Sequence, residues 1–359
     1  MSLLLQINDC QLVKLQQNPE YMTRPKLVKI YDINYTRFSP AKKFRYLFKE
    51  PSQYPLDLNN VVGDPIEIKH STQNNLLHPL LNTYFEDHNE KSLLEEDIDD
   101  DDNRNANKVE MTDVYSRRGI LERIMGFYYE KNDFSALVSR CNGKLFVVEL
   151  PQSEDAFERN QSGNNTHHRR FCQITSVDTM PELSDCNDDN IFQVAIHEAN
   201  LGKYNLHYVA RAPAIKVTEA SKNDLKNLRD VEFVSTKQMW SSIRDKSTKF
   251  LKYWLQSYLS NVRELYIAYK DSKGMVSSPI ECWKTCDIPK NYLWKPRVCT
   301  TFLNEFLNKV EEIMANINSL DIVFEFAFNT STRSVTYFKK SGVGFIPKEY
   351  ADRIQEKIV

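Results

Sequence analysis

No part of this 359-residue chain approaches the roughly eighteen consecutive apolar residues of a membrane span, so none is expected to cross a bilayer. The opening "MSLLLQINDC" offers three leucines with no basic segment before them, too short a run for a signal peptide. Basic charge is not in excess either. The net charge of −2 excludes an overall basic nucleic-acid binder, while leaving room for a local basic groove. The seven cysteines are odd in number and widely scattered, which suits a reducing cytosol or nucleus better than a disulfide scaffold. "CWKTC" sets Cys282 and Cys286 four apart with no second cysteine or histidine pair nearby, which argues against zinc. Walker, G-x-G-x-x-G, H-E-x-x-H and G-x-S-x-G motifs are all missing. One local absence stands out. "LHYVARAPAIKV", Leu206 to Val217, reads as a buried strand and contains no acid at all.

What is present reads as globular. Hydrophobic residues make up 41% and aromatics 11%, and the length allows two domains or one large one with an ample core. "KLVKIYDI" and "KKFRYLF" read as strands or extended pieces between Pro25, Pro40 and Pro51. The acidic stretch 86–107 reads as a solvated loop or insert, and 152–168, with "NQSGNNTHHRR", as a second polar loop. "RRGILERIMGFYYE" and "KSTKFLKYWLQSYLSNV" carry apolar residues at helical spacing, as does the segment with Phe302, Phe306, Val310, Ile313 and Ile317. "GKLFVVEL", "ELYIAYKD", "DIVFEFAF" and "SVTYFKK" read as strands, and "FQVAIHEANLGKYNLHYVARAPAIKV" as a hairpin turning about Asn200 to Lys203. Helices and strands are mixed without regular βαβ alternation. The expected class is therefore α+β, with mixed or antiparallel sheets flanked by helices.

Three features carry candidate chemistry. Arg118 opens a helix at the end of the strand-like "TDVYS", where it is either a surface arginine or faces an anionic group. Glu149 shares a strand face with Leu145 and Val147, at a sheet edge or in a polar cleft. Lys249, Lys252 and Gln256 recur at spacings of three and four on one helix face. Such a stripe is either simply solvated or holds phosphates over a cleft. His167 and His168, beside Arg169 and Arg170, read as part of a solvated basic loop rather than as ligands or bases.

Taken in order, these pieces resemble the DXO family of RNA 5′-end hydrolases over most of the chain, which implies a single DXO-like domain over 1–359 with a nuclease-type core. "PKLVKIYDI" and "FRYLFKEPSQYPLDLNNVVG" are similar to the family's N-terminal segment, and "DVYSRRGI" resembles its first arginine motif. "NGKLFVVELP" resembles a G-x-aromatic-x-x-E strand and "KFLKYWLQ" the K-x-x-K-x-W-x-Q helix. The resemblance implies RNA contacts at Arg118, Lys249, Lys252 and Gln256.

It also implies departures. The family carries E-x-D, E-x-K and K-F-E arrangements whose acids gather divalent metal, Mg²⁺ or Mn²⁺, to activate water. Here Arg211 and Pro213 stand at the E-x-D acids, Val234 at the lysine and Cys172 at the last acid, leaving Glu149 and Glu232 as remnant carboxylates. No catalytic set and no metal cofactor are then expected. The pattern resembles the catalytically degenerate, Cutoff-like branch of the family. That branch implies an RNA-binding adaptor in germ-cell nuclei with Rhino and Deadlock, protecting nascent RNA 5′ ends at piRNA clusters. A nuclear 5′-3′ exoribonuclease is a further expected partner. Two rival readings stay open. One is an active Mg²⁺- or Mn²⁺-dependent hydrolase with ligands among Asp178, Glu182, Asp185, Glu198 and Glu219. The other is a protein-interaction scaffold with no RNA role.

Overall fold

The computed structural model describes residues 2–6, 21–33, 38–60, 77–95, 111–150, 164–177, 192–216, 231–340 and 344–356. Its main body is a ten-stranded sheet. The strands are β1 (Ser2–Gln6), β2 (Lys26–Ile33), β3 (Thr112–Arg117), β4 (Phe134–Cys141), β5 (Lys144–Glu149), β6 (Phe192–Leu201) and β7 (Tyr204–Arg211). Two later strands, β12 (Ser319–Asn329) and β13 (Ser334–Lys340), join them. The spatial order is β1-β13-β12-β4-β5-β3-β7-β6-β2, closed by the short strand Phe38–Pro40. Strand β3 runs parallel to both its neighbours, β5 and β7, and the other pairs are antiparallel.

Both faces of this sheet are covered, which is why β3 and β5 lack polar alternation: a strand buried on two sides reads as a continuous apolar run. On one face lie α2 (Arg118–Gly126), α4 (Lys246–Leu259) and α5 (Pro296–Ile313), packed through Ile120, Ile124, Trp254, Leu255, Phe302 and Phe306. On the other lie α1 (Leu77–Glu95) and α6 (Lys348–Glu356), with Leu81, Tyr84, Phe85, Tyr350 and Ile354. The expected hairpin is present, and Leu201 pairs with Tyr204 across a tight turn. Gly202 has φ +55°, and a Cβ there would come within 2.7 Å of Asn304 Oδ1, so both backbone and packing require glycine.

A second, six-stranded sheet contains β8 (Ala214–Lys216), β9 (Phe233–Trp240), β10 (Val262–Lys270) and β11 (Glu281–Lys284), in the order β11-β10-β9-β8. The short strands Leu47–Phe48 and Ser176–Val177 complete it. Helix α3 (Asn164–Thr175) packs on β9.

The structure corrects three readings. "LHYVARAPAIKV" is not one strand. It ends in the large sheet at Arg211, turns through Ala212 and Pro213, and re-enters the small sheet as β8. Proline has no N–H for a sheet ladder, so its place is at such a break. The acidic stretch 86–107 is helical as far as Glu95, because the apolar face from Leu77 to Phe85 anchors α1 against the sheet. Its remainder lies outside the described residues. Of the polar segment 152–168, Asn164 to His168 form the first turns of α3, which buries Phe171 and Thr175. Among the described residues no helix is long and apolar enough to cross a membrane.

Candidate functional site

The corner at Ala212 and Pro213, where the chain passes between sheets, collects side chains from five elements. Helices α2 and α4 run side by side there. Arg118 Nη1 donates to Ser260 Oγ at 3.0 Å, and Gln256 Nε2 donates to Glu122 Oε1 at 3.1 Å. A Cβ on Gly126 would lie 3.2 Å from Leu255, so glycine sets this close approach. Tyr208, fully buried on β7, donates to the Leu259 carbonyl at 2.7 Å and fixes the end of α4 to the sheet. Arg118 therefore starts α2 from a rigid strand, β3, as the sequence spacing indicates.

Lys237, in the middle of β9, joins this arrangement. Its ammonium lies 5.7 Å from the Tyr253 ring centre, and Lys249 lies 5.6 Å from the same ring. Burial lowers the Lys237 pKa to about 8; the fields of Arg118 and Arg211 push in the same direction and Glu122 opposes them. Glu122 is itself buried, which raises its pKa, while Arg118, Lys252, Lys237 and Gln256 draw it back down. From α3, Cys172 and His168 face the same group, 3.8 Å apart (Sγ to Nε2). Burial raises the Cys172 thiol pKa against the pull of Arg211 and a hydrogen bond with Thr236. His168 is lowered to about 4, by burial first and then by Lys237, Arg211 and Lys270, and it is neutral at pH 7. Beneath Arg118 lies His197, completely buried with both ring nitrogens unpartnered, its pKa lowered to about 3 by burial and then by Arg118.

The balance is a net positive site. Two like charges ~6 Å apart repel by about 3 kcal/mol at an effective dielectric of about 20. The cluster brings together Arg118, Arg211, Lys237 and Lys252, with Glu122 as the acid that acts on both Arg118 and Lys237.

The sequence-predicted residues divide accordingly. Arg118, Arg211, Cys172, Lys252 and Gln256 converge, and Pro213 is buried at the corner itself. Lys249 borders the group through Tyr253. The two remnant carboxylates do not join them. Glu149 pairs with Arg123 at 2.5 Å on the far side of α2. Glu232 pairs with Arg263 and is 47% exposed, because it precedes β9 and faces solvent. Val234 packs in the small-sheet core beside Phe48 and Tyr266. Glu198 pairs with His207 at 3.3 Å, and Asp178, Glu182, Asp185 and Glu219 lie outside the described residues.

Three members of the site escaped the sequence reading. Sequence reading singles out neither Glu122 nor Lys237, and it takes His168 as part of a solvated basic loop. The one available signal for Glu122 was its place four residues after Arg118 on the same helix face.

A divalent cation requires several oxygen ligands, mostly carboxylate. The corner offers one carboxylate, a protonated thiol and a neutral imidazole among four cationic side chains. Among the described residues no group of three His, Cys, Asp or Glu side chains is arranged to hold a metal. This donor set does not fit Mg²⁺ or Mn²⁺. Cys282 and Cys286 are free thiols.

The two-sheet α+β architecture, with its site at the strand corner between the sheets, is that of a nuclease-type fold. The chain belongs to the RAI1-like PD-(D/E)XK nuclease family, whose model matches residues 24–351. It is 23% identical over 357 residues to the Drosophila melanogaster decapping and exoribonuclease protein Rai1, covering 94% of this chain and 92% of that one. It is 32% identical over 95 residues to Drosophila melanogaster protein cutoff, about a quarter of each chain (25% and 24%). The structure of Candida albicans Rai1 in complex with pU5 and Mn²⁺ matches with a TM-score of 0.60 at 13% identity, covering 94% of this chain and 96% of that one.

Proposed function

We propose that this protein holds RNA by its phosphates and does not cut it. The observation that carries the reading is the charge at the strand corner, where arginine and lysine side chains outnumber the one carboxylate among them. The Candida albicans relative carries an RNA oligonucleotide together with Mn²⁺. A site of the present composition retains groups that attract phosphate and lacks the anionic oxygens that would hold the metal. Arg118, Lys252 and Gln256 meet at the corner, and Lys249 extends the basic face along α4.

The similarity to cutoff supports placing this binding in the nucleus. There the protein acts as an adaptor with Rhino and Deadlock in germline piRNA-cluster transcription, protecting nascent 5′ ends and opposing termination and decay. A nuclear 5′-3′ exoribonuclease is the further candidate partner, supported by the similarity to Rai1.

The test is a 5′-end hydrolysis assay with triphosphate-, unmethylated-cap- and NAD-capped RNA in Mg²⁺ or Mn²⁺, run beside filter binding of the same RNAs. The expected result is salt-dependent retention of RNA with no released cap or nucleotide. Release that falls in an Arg118→Ala variant would overturn the reading in favour of an active hydrolase. Absence of RNA retention would favour a pure protein scaffold. Co-purification from native cells separates a chromatin-bound adaptor from one bound to the exoribonuclease.

A further inference from the structure

A cavity of about 340 Å³ opens at the start of α4, at the far end of that helix from the strand corner. Separate segments meet around it. The 3-10 turn Phe127–Tyr129 that follows α2 supplies Tyr128 and Tyr129, whose rings stand at 85° with centres 5.0 Å apart. Trp294, from the loop before α5, and Leu251 on α4 add apolar wall. Arg333 enters from the turn between β12 and β13.

Arg333 is held in a way that its turn alone does not require. Its φ is +53°, a left-handed conformation that glycine or asparagine adopts with less strain. Nη1 donates to the Phe127 and Glu130 carbonyls at 2.9 and 3.0 Å, which fixes the guanidinium 5.5 Å from the Tyr128 ring centre. Among the described residues Arg333 forms no ion pair and is the one charged side chain in the cavity wall, whereas nearby Lys131 is paired with Asp245. Two donors of the wall are also unmet. Trp294 is 2% exposed and its indole N–H has no partner. Tyr129 Oη accepts from the Lys295 N–H at 3.2 Å, which leaves its own proton to donate, and burial raises its pKa to about 12 and keeps that proton in place. Beside the cavity, Tyr292 stacks on Trp294 with an interplanar angle of 8°, and Leu293 between them is 93% exposed.

We propose that this cavity and the Tyr292–Leu293 shelf dock an extended segment of a partner protein, one with an aspartate or glutamate beside proline or leucine. The carboxylate goes to Arg333, whose planar fork of N–H groups matches it. The proline or leucine lies against Tyr128, Tyr129 and Trp294. Main-chain carbonyls take the unmet N–H and O–H donors, as in other aromatic-lined grooves that bind extended chains. Charge argues against a phosphate or a nucleic-acid strand, which brings more than one negative charge to a wall with one cation. Exposure argues against a small molecule, because a ligand filling the cavity alone would leave Leu293 in water. A partner held here leaves the strand corner free, whatever that corner binds.

The full-length protein can be titrated by fluorescence anisotropy against a fluorescein-labelled peptide, Gly-Ser-Asp-Leu-Pro-Pro-Leu-Asp-Ser-Gly. Two control peptides carry asparagine for aspartate, or serine for leucine and proline. The expected result is saturable binding of the first peptide and about tenfold weaker binding of each control. Leu293→Ser, at an exposed position, should weaken binding several-fold with an unchanged melting temperature. Arg333→Asn, which suits the left-handed backbone, should bring the aspartate peptide down to the level of the asparagine peptide and leave the latter unaffected. Loss of fold would instead weaken both peptides. Equal binding of the aspartate and asparagine peptides by wild type would overturn the carboxylate assignment. Binding that neither substitution changes would overturn the site. No saturable binding would overturn peptide docking, and retention of inorganic phosphate in its place would reassign the cavity to a phosphate ligand.

Discussion

Moving the Lys237 ammonium out of bulk water and beside two guanidinium groups costs folding free energy, and the direction of its pKa shift fixes the pH range of that cost. The pKa falls from the ordinary 10.5 to about 8 in the folded chain. The cost is therefore fully present below pH 8, declines as pH rises from there, and is gone above the unfolded value. Lys237→Met should stabilise the protein at pH 7 by about 1–3 kcal/mol, as replacement of buried charges by isosteric apolar side chains often does. Denaturant unfolding at pH 7 and at pH 10.5 checks this, since the gain must vanish at the higher pH. The same variant should bind RNA more weakly, a stabilisation obtained at the expense of the site. His207 shows the opposite sign. Burial lowers its pKa, but hydrogen bonds with Asp113 and Glu198 outweigh it, and the value rises to about 9. Its stabilisation is complete below pH 6.5 and lost as pH climbs through 9. His207→Gln should remove on the order of 2 kcal/mol at pH 6 and flatten the alkaline limb of the stability profile.

At the level of elements, the contact between α2 and α4 holds the site, and it depends on side chains that are not part of the cluster. A Cβ on Gly126 would meet Leu255 at 3.2 Å, so Gly126→Ala asks for a small shift and Gly126→Leu for a large one. The leucine variant should lose about 1–3 kcal/mol through overpacking and displace Arg118, weakening RNA binding in step with stability. Asp245 caps α4, its carboxylate accepting from the Thr248 N–H at 3.0 Å, and Asp245→Ala should cost about 1 kcal/mol with little effect on the distant corner. Chemical denaturation and RNA titration of the two variants separate packing from capping. These elements were legible in the sequence because each carries its own local signal. The α4 stripe from Phe250 to Leu259, the tight turn at Gly202 and the apolar run of β5 needed no partner to be recognised. The switch between sheets was not legible as such. Its sign was Pro213 inside an apolar run, which marks a break without saying that the next residues join a different sheet. Glu149 misled for a related reason. The two-residue period of a strand put it on the face of Leu145 and Val147, yet only the folded chain brings Arg123 across to claim it. Conversely, Lys237 and Glu122 acquire their meaning from packing between segments more than a hundred residues apart, which no local pattern encodes.

Across the whole molecule, a net charge of −2 means that long-range attraction cannot draw RNA to the surface at large. Affinity must come from one small basic region, and that constrains its salt dependence. Each phosphate neutralised on a single strand contributes about −0.7 to the slope of log affinity against log salt. With Arg118, Arg211 and Lys237 converging on one phosphate and Lys252 on a second, the expected slope is about −1.4, well short of the steep dependence of proteins that line a long basic groove. Charge reversal at Lys252 should reduce the magnitude of the slope by about one contact and weaken all RNAs alike, because a phosphate contact carries no sequence information. Substitution of Arg211, inside the corner, should weaken binding more than substitution of Lys252, which is exposed on α4. A slope of about −1.4 for wild type, with these two responses, is expected from anisotropy titrations between roughly 50 and 200 mM salt. A much steeper slope, insensitive to both substitutions, would place the RNA on another face of the protein and remove the strand corner from its binding path.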